Sequence, residues 1–135
     1  MVAAQRSYKN ILKKRASFIN AAKGHYIPRS AFVMQRNAKV SVHDNQFGVG
    51  FTVTKKQGNA VARNRIRRRL REAIRHIDER FFEASYDYVL VGRAHALTIE
   101  FPALCADIET TLKKFMRGEG RQARARKAKP SSNAK

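Results

Sequence analysis

Apolar and polar positions change rhythm several times along the chain. Ile66, Leu70, Ala73, Ile74 and Ile77 recur at steps of three and four, the spacing that puts side chains on one face of a helix. The spacing predicts a helix over residues 60–80. On a wheel of roughly 100° per residue, Asn64, Arg68, Arg71 and Arg75 fall opposite that stripe, and Arg65, Arg67 and Arg69 flank it. Gly58-Asn59 just ahead is a turn signal. A second stripe, Leu104, Ile108, Leu112 and Phe115, predicts a helix reaching Met116. Thr98 is placed to cap it, and Gly118 and Gly120 to break it. Nearer the start, Ile11, Leu12, Phe18, Ile19 and Ala22 suggest a further helix, with Gly24 at its carboxyl end.

Elsewhere the period is two. Phe47, Val49, Phe51 and Val53 alternate with Gly48, Gly50, Thr52 and Thr54, predicting a strand over 47–54 with an apolar core face. Another strand is predicted over 31–36, opened by Pro28. There Phe32 and Met34 face one way, Val33 and Gln35 the other. Val40 extends this strand and His43-Asp44-Asn45-Gln46 forms the turn that follows. If these two strands pair as a hairpin, Val33 and Gln35 share a face with Thr52. Tyr88-Val89-Leu90-Val91 is continuously apolar, as in a strand covered on both sides. A whole helix separates it from the 47–54 strand, so a parallel pairing through a crossover follows.

Charge changes the picture. Lys and Arg number 29 against 10 Asp and Glu, a formal net charge of +19 and a pI near 11.1. That excess points to nucleic acid first and an anionic membrane surface second. No apolar run is long enough to span a bilayer. The helix over 60–80 has only Glu72, Asp78 and Glu79 to offset its arginines. Unpaired guanidinium groups repel one another, and phosphate suits their planar fork. A merely solvated face usually balances Lys with Glu, and this one does not. The Gly/Thr face of the 47–54 strand has two readings. It is a surface where backbone or solvent lies close, or a shallow trough for extended RNA. Residues 1–43 lack acids, as a transit peptide does, but they run straight into a strand pattern and belong to the fold. One domain over 1–116 is expected, then a disordered basic tail over 117–135 without apolar periodicity.

Protein-borne chemistry has little support. His25, His43, His76, His95 and the single cysteine, Cys105, have no metal-ligand spacing. Cys105 reads as a small buried hydrophobe, while His76 borders the basic helix and could touch RNA. No glycine-rich phosphate loop occurs. Two-metal nucleases cluster carboxylates, and here the acids are scattered. Lys55 and Lys56 read better as phosphate contacts than as a catalytic lysine.

Lys55-Lys56, Gly58-Asn59-Ala60-Val61, Arg63-Asn64-Arg65-Ile66-Arg67-Arg68 and Arg71 together resemble the signature of the protein subunit of bacterial ribonuclease P. Leu12-Lys13-Lys14-Arg15-Ala16-Ser17-Phe18 is similar to that family's first helix. The resemblance covers residues 10–116. It implies an α+β fold, a small αβββαβα sandwich whose mixed sheet has a left-handed βαβ crossover carrying the Arg-Asn-Arg helix. Crossovers in general are right-handed. The implied function is to bind the catalytic RNA and the 5′ leader of precursor tRNA, promoting endonucleolytic 5′ maturation. Catalysis is then expected in the RNA subunit with bound divalent cations (Mg), none held tightly by the protein. One protein per RNA, a cytoplasmic location and no membrane partner are expected too. Arg63, Asn64, Arg65, Arg67, Arg68 and Arg71 would contact the catalytic RNA, with Arg75 on the same ridge. Phe18, Val33, Gln35, Thr52 and Lys56 would line the leader cleft, with Thr54 and Lys55 beside them. Gln35 and Ala22 stand where aromatics are common in the family, so base stacking is weakened at those two points. The alternative is a ribosomal or general RNA-chaperone protein with no role in cleavage, which would bind leaderless and leader-bearing tRNA alike. A DNA-binding basic helix ranks below both, lacking a zipper heptad or a second helix at helix-turn-helix spacing.

Overall fold

The computed structural model describes residues 11–39 and 47–122. The expected extension at Val40, the turn over 43–46 and the tail beyond Gln122 lie outside the described residues. The described elements run α1 (Arg15–Ala22), β1 (His25–Pro28), β2 (Phe32–Ala38), β3 (Gly48–Thr52), α2 (Ala60–Arg75), β4 (Tyr86–Gly92), α3 (Phe101–Met116) and β5 (Arg121–Gln122).

The five strands form one mixed sheet in the order β3-β4-β2-β1-β5. β3 and β4 are parallel, joined through α2, and the other pairings are antiparallel. The expected hairpin between the strands at 31–36 and 47–54 does not form, because β4 lies between β2 and β3. The reason is burial. Tyr88, Val89 and Leu90 are exposed by 0%, 1% and 0%, and only an inner strand hides both of its faces. The free edge of β3 is covered instead by the chain's own amino-terminal segment. Ile11 bridges Val49, and Leu12 N–H donates to Val49 O at 2.9 Å. Ile11 and Leu12 therefore precede α1 and do not belong to it.

One side of the sheet is the core. Phe32, Met34, Val49, Phe51, Tyr88 and Leu90 meet Ile66, Leu70, Ala73 and Ile74 of α2 and Leu104, Ile108, Leu112 and Phe115 of α3. Both helical stripes thus bury the residues their spacing marked. On the other side lies α1, over β2 and β4. It buries Ala21, while Ile19 and Ala22 are exposed.

Several boundaries shift for local reasons. α2 stops at Arg75 because His76 takes the C-cap, and the Asp78 carboxylate accepts the Arg80 N–H at 3.0 Å to start a separate turn over Glu79–Phe81. α3 starts after Glu100 with Pro102 in its first turn, where a missing N–H costs nothing. Thr98 does not cap it, since its hydroxyl turns back to His95 at 3.3 Å. Pro28 closes β1 and does not open the strand at 31–36. Order also persists past Arg117. Arg121 and Gln122 pair with Tyr26 and His25, so the disorder expected from Arg117 does not hold over residues 117–122. Cys105 is half-buried rather than buried, and burial pushes its thiol up against the pull of Arg69.

Candidate nucleic-acid interface

The basic helix begins at a built turn. Gly58 sits at φ +143°, a region that favours glycine. Asn59 caps α2, its side-chain oxygen accepting the Ala62 N–H at 2.8 Å. Arg63 folds back, its Nε donating to Gly58 O at 3.1 Å, and is half-buried. Arg67 Nη2 donates to Asn64 Oδ1. Asn64, Arg65, Arg68, Arg71 and Arg75 are exposed. Arg65 and Arg68 have no side-chain partner among the described residues. Arg71 lies 5.7 Å from the Phe51 ring centre. Arg75 faces Glu72 at 3.9 Å, with both groups about half exposed, a pair worth little in water.

Arg69 leaves this ridge. Its Nη1 donates to Ala96 O at 2.7 Å and to Ile99 O at 2.8 Å, and its guanidinium lies 5.9 Å from the Phe101 ring centre. It clamps α2 to the connection ahead of α3. No acid occupies the first turn of α2, so the helix start keeps its positive end bare.

The second surface is the α1 side of the sheet. Residues directly opposed in neighbouring strands share a face. Thr52 pairs with Val91, and Val91 with Val33. Val33 and Gln35 therefore do share a face with Thr52, across β4 and not through a hairpin. The Gly/Thr alternation has a split explanation. A side chain at Gly50 would meet the Phe18 ring at 2.8 Å, and one at Gly48 would meet Leu12 at 2.6 Å. Close packing by the chain itself claims those two glycines. Only from Thr52 onward is the face open, with Thr52 half-buried and Thr54 exposed. Phe18, half-buried, stands at the boundary.

Lys55 and Lys56 lie on the turn Lys55–Gln57 at the end of this face, exposed and without side-chain partners among the described residues. Gln57 Oε1 accepts the Ala94 N–H at 2.8 Å, tying the segment after β3 to the segment after β4. Sequence reading missed Arg93. It follows Val91 by two residues with extended backbone, φ −123° and ψ 159°, so strand alternation carries it to the same face. It is exposed, and its N–H donates to Ala31 O at 2.9 Å. The cue was available in the sequence: a lone arginine in phase with an apolar strand at its carboxyl end.

The described acids lie apart from one another. Among the described residues no group of three His, Cys, Asp or Glu side chains could hold a metal ion. Asp87, 6% exposed, has one carboxylate oxygen without a hydrogen-bond partner. Burial raises its pKa, and Lys39 at 3.9 Å works against that rise. It lies beneath Gly48, away from the open part of the face. No described helix is long and apolar enough to cross a membrane.

Known proteins resemble this chain over most of its length. The Ribonuclease P family profile matches residues 7–116. A Ribonuclease P protein component from Gluconacetobacter diazotrophicus is 43% identical over 104 residues, covering 76% of this chain and 88% of that protein. One from Brucella suis is 39% identical over 126 residues, covering 88% of this chain and 89% of its own. Among solved structures, the Staphylococcus aureus RNase P protein superposes with a TM-score of 0.61 at 28% identity, covering 77% of this chain and 93% of that one. The Thermotoga maritima protein, at 18% identity and a TM-score of 0.56 over 78% of this chain and 92% of its own, shares the fold.

Proposed function

The chain belongs to the ribonuclease P protein family, whose function is RNA binding and 5′ processing of precursor tRNA, and we propose how its two surfaces divide that work. The α2 ridge takes the catalytic RNA. Asn64, Arg65, Arg68, Arg71 and Arg75 present exposed groups there, Arg67 is held beside them by Asn64, and Arg63 braces the helix start. The sheet face takes the 5′ leader, along Phe18, Val33, Gln35, Thr52 and Thr54 to Lys55 and Lys56.

One observation carries this division. The open row Val33, Val91 and Thr52 ends on β3 at Thr52, just ahead of the turn that holds Lys55 and Lys56, and the chain then runs within four residues into the basic helix. Both surfaces therefore meet at one end of the sheet. An RNA lying across the ridge and a leader lying on the face would converge there. Unpaired lysine and arginine attract phosphate and release its counterions, while the half-buried apolar row offers contact to sugars and base faces.

The cleavage chemistry belongs to the RNA in this reading. Divalent cations (Mg) are held mainly by the RNA in the same reading, and the described carboxylates do not converge on one point. One protein acts per RNA, in the cytoplasm. The test is reconstitution at low magnesium, with a bacterial ribonuclease P RNA and 5′-labelled precursor tRNA. Cleavage at the mature 5′ end is expected only with protein and RNA together. Cutting by the protein alone would place an active site in this chain. Binding without rescue of cleavage would return it to the RNA chaperones.

A further inference from the structure

We propose that the sheet face carries a second subsite for single-stranded RNA at its far edge, formed by Tyr26, Gln35 and Arg121, which takes the part of the leader distant from the cleavage site. This rests on the reading that the leader lies on that face. The register supplies the geometry. Gly50 pairs with Val89, Val89 with Gln35, Gln35 with Tyr26, and Tyr26 with Arg121. Directly opposed residues share a face, so one row crosses all five strands. Four interstrand steps of about 4.8 Å make it about 19 Å wide.

Exposure grows along the row. Gly50 and Val89 are buried, Gln35 and Tyr26 are half-buried, and Arg121 is exposed. The Tyr26 hydroxyl, the Gln35 amide and the Arg121 guanidinium have no partner among the described residues. Tyr26 and Arg121 also line a common pocket with Arg29, Lys114 and Glu119. Three complementary groups thus stand side by side. The ring offers a face for a base, the amide can both donate to and accept from a base edge, and the guanidinium forks onto phosphate. The Tyr26 ring stands directly across from Gln35 on the next strand. Arg121 lies beyond residues 7–116, which match the family.

The experiment uses the reconstituted holoenzyme and precursor tRNAs whose leaders lengthen one nucleotide at a time. Affinity is measured relative to mature tRNA with cleavage held off. Beyond a threshold length, the double variant Tyr26→Ala/Arg121→Ala should lose about tenfold of the leader-dependent gain, as expected for one lost base stack. Short leaders should keep their gain, and Tyr26→Phe should keep the gain at every length. Lys56→Ala, in contrast, should lower the gain of short and long leaders alike. An unchanged long-leader gain in the double variant overturns the subsite, as does an equal loss at all lengths, which would mark a structural effect. A wild-type holoenzyme with no leader-dependent gain, or a gain insensitive to Lys56→Ala, overturns the leader reading itself and the subsite with it.

Discussion

Arg68 and Arg69 are neighbours in one helix and have opposite fates. One step along a helix turns a side chain by about 100°. That step moves the guanidinium from open solvent at Arg68 to a ledge at Arg69, where the carbonyls of Ala96 and Ile99 wait at 2.7 and 2.8 Å. The next step of about 100° reaches Leu70 in the buried stripe. The contrast shows that counting arginines in a basic helix overstates how many guanidinium groups are left to solvent. A phosphate competes for a guanidinium that has only water to lose. It gains little at one already holding two carbonyls inside the protein.

Substitutions along α2 sharpen this contrast, taken from the largest expected change in stability to the smallest. Leu70→Ala empties a fully buried site and should cost about 2–5 kcal/mol in denaturant unfolding. A loss under 1 kcal/mol would mean that the stripe is not the core it resembles. Arg69→Ala should cost about 1–3 kcal/mol, because two partly buried carbonyls lose their donor. The salt dependence of ribonuclease P RNA binding should stay as it was. If its slope flattened, Arg69 would belong to the ridge after all. Arg65→Ala with Arg68→Ala should leave stability within about 0.5 kcal/mol of wild type, or raise it slightly as repulsion falls. The same pair should lower the salt slope of ribonuclease P RNA binding by about 0.7–0.9 per lost phosphate contact. An unchanged slope would remove both residues from the interface.

Asp87 is the acidic counterpart of Arg69, a buried charge whose partners are poor. Its pKa is raised in the folded protein above the ordinary 3.8, chiefly by burial. As pH rises through 3.8 the unfolded chain loses this proton first, so the folded state binds more protons and stability falls across the window up to the raised value. Asp87→Asn should therefore be more stable than wild type at pH 7, and the advantage should vanish below pH 3.8. Melting curves of both proteins against pH check the sign. A variant less stable at neutral pH would show that the Lys39 contact outweighs the burial.

Much of this protein is legible in the chain itself, and the legible parts share a cause. The stripe from Ile66 to Ile74, the Gly58-Asn59 turn and the alternation of β3 are set by neighbours within a turn or two of backbone, so periodicity and turn chemistry reveal them. The motif Arg63-Asn64-Arg65 and the excess of positive charge likewise name a polyanion before any fold is known. The far edge of the face is different. Tyr26 and Arg121 lie 95 positions apart, and only their pairing makes them neighbours.

Tertiary structure alone decided the strand order, because pairing energy depends on partners that local pattern does not specify. β4 took the place between β2 and β3 since its continuous apolar run needs cover on both faces. The Gly/Thr face was ambiguous for the same reason. Gly50 is small because Phe18, 32 positions earlier, packs on it, while Thr52 beside it stays half-open. Arg69 reads as one more cation until carbonyls 27 and 30 residues away claim it. What the sequence determined by itself was therefore local form and overall charge. Which of those charges stay free for RNA was decided only when distant segments met, because a hydrogen-bonding partner is a matter of distance in space and not along the chain.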